Sequence, residues 1–477
     1  MIAAFSLCSE GENDLLKEGT VQRVLQEALS LGADFSELYV EDTEENTVSM
    51  TDGRIEDAGY TRKKGAGIRA AKGPLQAYVY TADLAEEKLL QAAHAAAAAL
   101  RGGTSILALE RGKECRYGEA NKGIFSSVSN GMRIGILNDL TRAAKAYSSE
   151  IVQTQASYLD VTQNVFVANS YGVRAYDIRP RTRVFIRSLA GDGISTQMGY
   201  CSPGTAKGFD VYKEFDAKEC AEEASRIAVT MLHAPECPAM AVPVVIGNGF
   251  GGVIFHEACG HALEATSVAK DASVFCGKLG QRVAQPCVTA IDDGTIPGEW
   301  GTLGMDDEGT KTRRNVLIED GILKSYLIDR INGRRMGMQS TASSRRQGYD
   351  FAPTSRMTNT FIAPGNDTVE EMLETMGEGL YAKKMGGGSV NPMTGEFNFA
   401  VLEAYWVRDG KIITPVRGAT LIGKGAEVLQ RIDRVGNDLK LGQGMCGSVS
   451  GSIPTNVGQP TIRVSEIIVG GKGGVIA

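Results

Sequence analysis

Histidine is almost absent from this chain, four residues in 477, so any cluster of imidazoles stands apart from composition. Also missing is an apolar run approaching the roughly 18 residues that a helical membrane span requires, and no membrane association is expected. There is no excess of positive charge: 57 acidic against 50 basic residues leave a net charge of −7, which argues against overall attraction to nucleic acid. A disulfide framework is lacking as well. The nine cysteines are odd in number and irregular in spacing, as expected of reduced thiols. The first residues, Met1 to Cys8, carry no basic region and soon turn acidic, a poor secretion signal. These absences together point to the cytoplasm.

What is present is enough apolar material, 43% of residues, to build more than one core at this length. The clearest internal division is His233 to Pro243, where Pro235, Pro238 and Pro243 disfavour a continuing helix. Three domains are expected: 1–110 as an N-terminal α/β domain, 111–236 as a middle α+β domain, and 237–477 as a C-terminal domain. Helical spacing or composition marks Thr20 to Leu31, Leu84 to Leu100, Met132 to Tyr147 and Ala217 to Leu232. Strand-like runs are Ser36 to Glu41, Leu75 to Tyr80 and the long stretch from Ile151 to Arg187. After residue 237 the pattern is mainly β, with Asp320-Gly321 and Asp409-Gly410 set between apolar runs as hairpin turns. Glu370 to Lys383 reads as an interrupting helix. The fold class that follows is α+β, with a twisted or barrel-like sheet in the C-terminal half carrying a central helix.

That helix, Val253 to Ala265, holds His256-Glu257-Ala258-Cys259-Gly260-His261. Two imidazoles and a carboxylate are the parts of a hydrolytic zinc site: the nitrogens bind the ion and the carboxylate accepts a proton from water. The familiar spacing is H-E-x-x-H. Here the histidines are five apart, and at roughly 100° per residue a regular helix would separate them by about 140°. A π-type turn or a break restores convergence, and Gly260 makes such a distortion inexpensive. The preceding strand, Ala241 to Ile246, and Gly247-Asn248-Gly249-Phe250-Gly251-Gly252 mimic a dinucleotide fingerprint, but no second strand ending in an acidic residue follows. Close backbone approach is the better account of those glycines.

A zinc hydrolase uses three protein ligands and leaves one position open. Glu264, three residues after His261, and Cys446, in a glycine-bracketed loop, both qualify as the third, and residue chemistry leaves the choice open. Elsewhere, His94 in an alanine-rich helix reads as a packed or surface residue. Asp306-Asp307-Glu308-Gly309 lacks calcium-loop spacing and reads as a solvated turn. Arg345, Arg346 and Arg356 suit either a peptide carboxylate or structural ion pairs. Gly386-Gly387-Gly388-Ser389 is no phosphate loop, because no Gly-Lys-Ser/Thr follows.

The run Gly249 to Glu264 resembles the signature of the TldD/PmbA metallopeptidase family, on its TldD side. Arg356-Met357-Thr358-Asn359-Thr360, the stretch Gly386 to Phe397, and Met445-Cys446-Gly447 through Gly458-Gln459-Pro460-Thr461 are similar in the same order. The likeness covers most of 240–470. It implies a zinc peptidase with His256, His261 and Cys446 as ligands and Glu257 as general base. It also implies action on unfolded or extended peptides with broad specificity, beside a related PmbA/TldE-like subunit or as a homodimer. Two departures are Cys259, where valine is frequent, and Ala265-Thr266, where Gly-Asp is frequent. Cys259 places a second thiol near the motif. The alternatives are a non-catalytic peptide-binding or regulatory subunit, and a thiol peptidase built on Cys446 or Cys259 with a histidine.

Overall fold

The computed structural model describes residues 15–100, 109, 112, 114–117, 124–391 and 394–474. The N-terminal run read for a secretion signal and the 110/111 division lie outside them. The first half is organised by four long antiparallel strands, Phe35–Thr51, Arg54–Lys72, Ile151–Asn169 and Arg174–Gly191, within an eight-stranded sheet. Phe35–Thr51 pairs with Arg54–Lys72 on one side and Ile151–Asn169 on the other, so one sheet runs through both 1–110 and 111–236.

Strand alternation assigns the two faces of this sheet. Even-numbered Leu38, Val40, Val48 and Met50 face helices: Glu18–Leu29 and Glu86–Ala99 cover the first pair, and Asn130–Tyr147 and Ala217–Leu232 the second. Glu18–Leu29 buries Val21, Val24, Leu25, Ala28 and Leu29, the stripe of an amphipathic helix. Asp216 starts Ala217–Leu232 by accepting from the Glu219 amide at 2.9 Å.

Odd-numbered Glu37, Tyr39 and Glu41 face the second half of the chain, across a buried layer of charge. Arg69 Nη2 lies 2.6 Å from Glu37 and 2.7 Å from Glu308. Arg346 reaches Glu37 at 3.0 Å, and Arg179 bridges Asp177 at 2.8 Å and Asp307 at 2.7 Å. Asp306-Asp307-Glu308 is therefore no solvated turn: all three residues are buried. Guanidinium partners and main-chain amides substitute for water, without which buried carboxylates would be prohibitively costly. Arg345 and Arg346 belong to this interior too, Arg345 donating to the Met357 carbonyl at 2.7 Å.

Among the described residues, Asp306 is met by main-chain amides and by no guanidinium. Burial and the Glu308 carboxylate outweigh amide donors from Thr310, Glu308 and Ser344, and its pKa is pushed up to about 8. An unfolded aspartate ionises near pH ~3.9, so the folded state holds the extra proton between the two values. Stability from this group is complete below about pH 4 and lost as pH rises to about 8. Denaturation midpoints should fall across that window, and Asp306→Asn, which cannot ionise, should flatten the decline. An unchanged slope in the variant would show that Asp306 is not its source.

In the second half, Gly379–Val390, Met240–Ile246, Ile462–Gly470, Thr420–Lys424 and Glu396–Arg408 close into a five-stranded barrel. The helix expected over Glu370 to Lys383 covers only Val369–Glu374, with a capping box at Thr368 and Glu371. Beyond it, Gly377 takes a positive φ of 73°, and Leu380 and Ala382 enter the barrel core opposite Val244 and Ile246. Burial between strands overrides helical propensity there. Both Asp-Gly hairpins form, with positive φ at Asp320, Gly321, Asp409 and Gly410, as a two-residue turn of matching twist requires. A six-stranded sheet lies alongside, ordered Ile322–Leu323, Arg314–Glu319, Ala290–Asp293, Asn359–Ile362, Gly451–Gln459, Lys440–Ser448. The motif segment packs against barrel and sheet in one shared core.

Candidate metal centre

The segment expected as one helix, Val253 to Ala265, is a succession of short turns. A 3-10 turn, Gly249–Gly252, leads into Val253–Phe255, a π turn, His256–Gly260, and a 3-10 turn, His261–Leu263. The His261 amide donates to the His256 carbonyl, an i→i−5 bond whose two ends are the motif histidines themselves. The extra residue of the π turn removes the angular divergence that five-residue spacing would otherwise impose.

Gly260 serves a purpose other than unusual dihedrals: its backbone is ordinary right-handed helix. A β-carbon there would lie 2.4 Å from Met357 Sδ, so the glycine makes room. Gly252 is tighter still, because its β-carbon would meet the Gly458 backbone at 2.4–2.5 Å. Gly247, Gly251 and Gly252 of the pseudo-fingerprint thus permit close approach, as read from the sequence, whereas Gly249 takes a positive φ of 67° with no neighbour nearer than 3.6 Å.

Cys446 arrives from the Lys440–Ser448 strand. Its Sγ lies 3.2 Å from His256 Nε2 and 3.3 Å from His261 Nε2, and the three donor atoms fall within 4.8 Å of one another. The imidazole planes are near perpendicular, at 85°. Zinc–nitrogen bonds of about 2.0–2.1 Å and zinc–sulfur bonds of about 2.3 Å place tetrahedral ligands about 3.5 Å apart. The donor set fits zinc in both spacing and chemistry.

The other candidates fall outside the cluster. Glu264 Oε1 sits 3.1 Å from His261 Nδ1, turning that ring rather than joining the donor atoms. Cys259 is buried in the apolar core, and burial pushes its thiol far above the usual range. His94 and His233 are exposed, paired with Glu27 at 2.7 Å and Glu150 at 2.8 Å. Glu257 is part-exposed, its Oε2 3.7 Å from His261 Nε2.

Electrostatics within the cluster are polarised. Burial opposes ionisation of Cys446, but the His256 and His261 imidazoles outweigh it and hold the thiol at about 3. For His261, burial disfavours the cation, and Glu264 and Cys446 overcome it to raise the pKa well above the ordinary value. Among the described residues, His256 Nδ1 is buried with no hydrogen-bond partner. Ring orientation is therefore fixed by a carboxylate at His261 and by packing at His256.

Sequence reasoning left the part played by Arg356 open, and nothing local in the chain could have settled it. It is fully buried beside the cluster, donating to Ser450 Oγ and the Gly451 carbonyl at 3.0 Å each and to the Cys446 carbonyl. The segments whose order resembled a family signature thus converge: Arg356 and Met357 border the histidine turn, and Gly458 backs Gly252.

Comparison with known proteins agrees over nearly the whole length. Three family models match in order: the PmbA/TldA metallopeptidase domain 1 over 36–100, the central domain over 124–232 and the C-terminal domain over 239–471. A metalloprotease TldD homolog of Haemophilus influenzae is 36% identical over 450 residues, 92% of this chain and 93% of its own. A zinc metalloprotease TldD homolog of Saccharolobus solfataricus is 30% identical over 280 residues, 58% of this chain and 60% of its own. Among solved structures, TldE from Thermococcus kodakarensis superposes with a TM-score of 0.76 at 18% identity, covering 94% of this chain and 99% of its own. With all three domains matched in sequence and a close relative spanning nine-tenths of its length, the chain belongs to the PmbA/TldD metallopeptidase family.

Proposed function

We propose that the protein is a zinc-dependent peptidase of broad specificity, acting on unfolded or extended peptides. The observation that carries this reading is the convergence of His256, His261 and Cys446 beside a part-exposed Glu257. The three clustered residues would hold the ion, leaving a position open to solvent and substrate. Zinc bound there supplies Lewis acidity, acidifying water and polarising a scissile carbonyl. Glu257 takes the proton from the attacking water and returns it to the leaving amine nitrogen. Glu264 keeps the His261 ring turned toward the cluster.

Substrate breadth follows from where the sulfur is carried. Lys440–Ser448 is the outermost strand of its sheet, and Met445, Gly447 and Ser448 on it are exposed. An extended peptide adding to an exposed strand edge gains main-chain hydrogen bonds that are indifferent to its side chains, whereas the Gln443, Gly444 and Cys446 carbonyls of this strand already accept from Arg183, Trp300 and Arg356. A related PmbA/TldE-like subunit, or a second copy of this chain, is the partner included in this reading. Ile422 and Ile468, exposed cross-strand neighbours on the barrel, offer it an apolar surface. Among the described residues no helix is long and apolar enough to cross a membrane.

The purified protein, with and without a related subunit, should carry about one zinc per chain. Chelation should abolish hydrolysis of an unfolded test peptide, and stoichiometric zinc should restore it. A low thiol pKa beside two imidazoles also suits a thiol peptidase. Activity that survives complete metal removal and is lost on alkylation would favour that second reading. Absence of both zinc and turnover would favour a binding subunit.

A further inference from the structure

We propose that Arg356 is a positioning residue that fixes the sulfur-bearing strand against the histidine-bearing turn, through the Cys446 carbonyl on one side and Glu264 on the other. This inference rests on the zinc reading above and concerns what holds the ligand set in register.

His256 and Cys446 are 190 residues apart in sequence, so their spacing depends on contacts between separate elements. Arg356 provides one such contact from a fully buried position. Its Nη1 and Nη2 donate to Ser450, Gly451 and Cys446, all at the tip of the hairpin that carries the sulfur. Its Nε stands 3.9 Å from Glu264 Oε1, an ion contact longer than a hydrogen bond. That same oxygen is 3.1 Å from His261 Nδ1. One planar guanidinium therefore hydrogen-bonds the main chain of the Cys446 hairpin and stands at ion-pair range, without a hydrogen bond, from the carboxylate that orients His261.

The arginine is itself anchored. Its amide donates to the Ser343 carbonyl at 2.8 Å, and the next residue, Met357, presses against Gly260 inside the π turn. Its guanidinium stands beside the carboxylate whose Oε1 contacts His261 Nδ1, a contact that leaves Nε2 of that ring facing the sulfur. Lysine cannot reproduce this, because one ammonium cannot span the hairpin tip and the carboxylate together.

The probe is cobalt(II), whose visible absorption reports thiolate bonding and coordination geometry. R356K, E264Q and the double variant are compared with the parent for cobalt affinity by chelator competition, for spectrum, and for metal-free melting. Each single variant should bind cobalt about 10–100-fold more weakly, with a displaced thiolate charge-transfer band, and metal-free melting measures separately what the broken buried contacts cost the fold. The double variant should be no worse than the weaker single, since both changes break one linkage. Parent-like affinity and spectrum in folded R356K, or losses that add in the double variant, would overturn the proposal. If R356K does not fold, E264Q decides: a parent-like site overturns the inference, and a weakened site with an altered spectrum supports it. A parent that takes up no cobalt overturns the zinc reading itself, an outcome distinct from a loaded parent with indifferent variants.

Discussion

Glu257→Gln should slow peptide hydrolysis by about 10²–10⁴-fold while leaving the metal bound. Glutamine keeps the size and hydrogen-bonding reach of the side chain and removes only its capacity to accept a proton. Glu257 is not among the clustered donor atoms, so zinc content should stay at the parent's value. Because the side chain is part-exposed at the margin of the cluster, the substitution leaves no buried charge unpaired, and melting should change little. The informative comparison is kcat at saturating substrate, where a proton-transfer defect appears in full and a substrate-binding defect does not. Parent-like kcat in a zinc-loaded variant would remove Glu257 from the proton-transfer role.

Cys446→Ser should cost the site its metal. Zinc in structural sites is held by about 10–16 kcal/mol across four ligands, so one strong ligand accounts for roughly two to three decades of affinity. A serine hydroxyl stays protonated at neutral pH and donates poorly, whereas the thiol is held near 3. The main chain should be unaffected: Cys446 remains paired with Ile453 across the hairpin, and its carbonyl still accepts from Arg356. Zinc loss and loss of hydrolysis should therefore occur together in a folded protein. His94→Ala is the matched control, an exposed histidine whose contact is Glu27, and it should retain both. Full zinc affinity in Cys446→Ser would mean that the sulfur is a neighbour of the site and not a ligand.

Several features of the fold were legible because the signal lies within a few residues. Ala217–Leu232 has the bounds its apolar spacing indicated. The Asp-Gly turns carry their own conformational preference, and both hairpins form where those pairs stand. The π turn was foreshadowed by a single number, the five-residue interval between His256 and His261, which a regular helix cannot reconcile with convergence. Other features escaped for equally physical reasons. Residues 379–383 read as the end of a helix, and pairing with Met240–Ile246 on one side and Glu396–Arg408 on the other made them the start of the barrel strand Gly379–Val390. Asp306-Asp307-Glu308 reads as polar surface until the arginines of a distant sheet cover it.

By itself the sequence determined the α+β character, the strand-rich second half, and a pair of imidazoles beside a carboxylate on one short segment. These depend on periodicity, turn chemistry and spacing, all of which act locally along the chain. Only the tertiary structure brought Cys446 within reach of both imidazoles, set Glu264 against His261 Nδ1, buried Cys259 in the apolar core, and placed Arg356 between hairpin and turn. Those outcomes depend on sheet register and close packing between segments up to 190 residues apart. No local preference encodes such distances; they follow from burying the barrel, the six-stranded sheet and the histidine turn in one core.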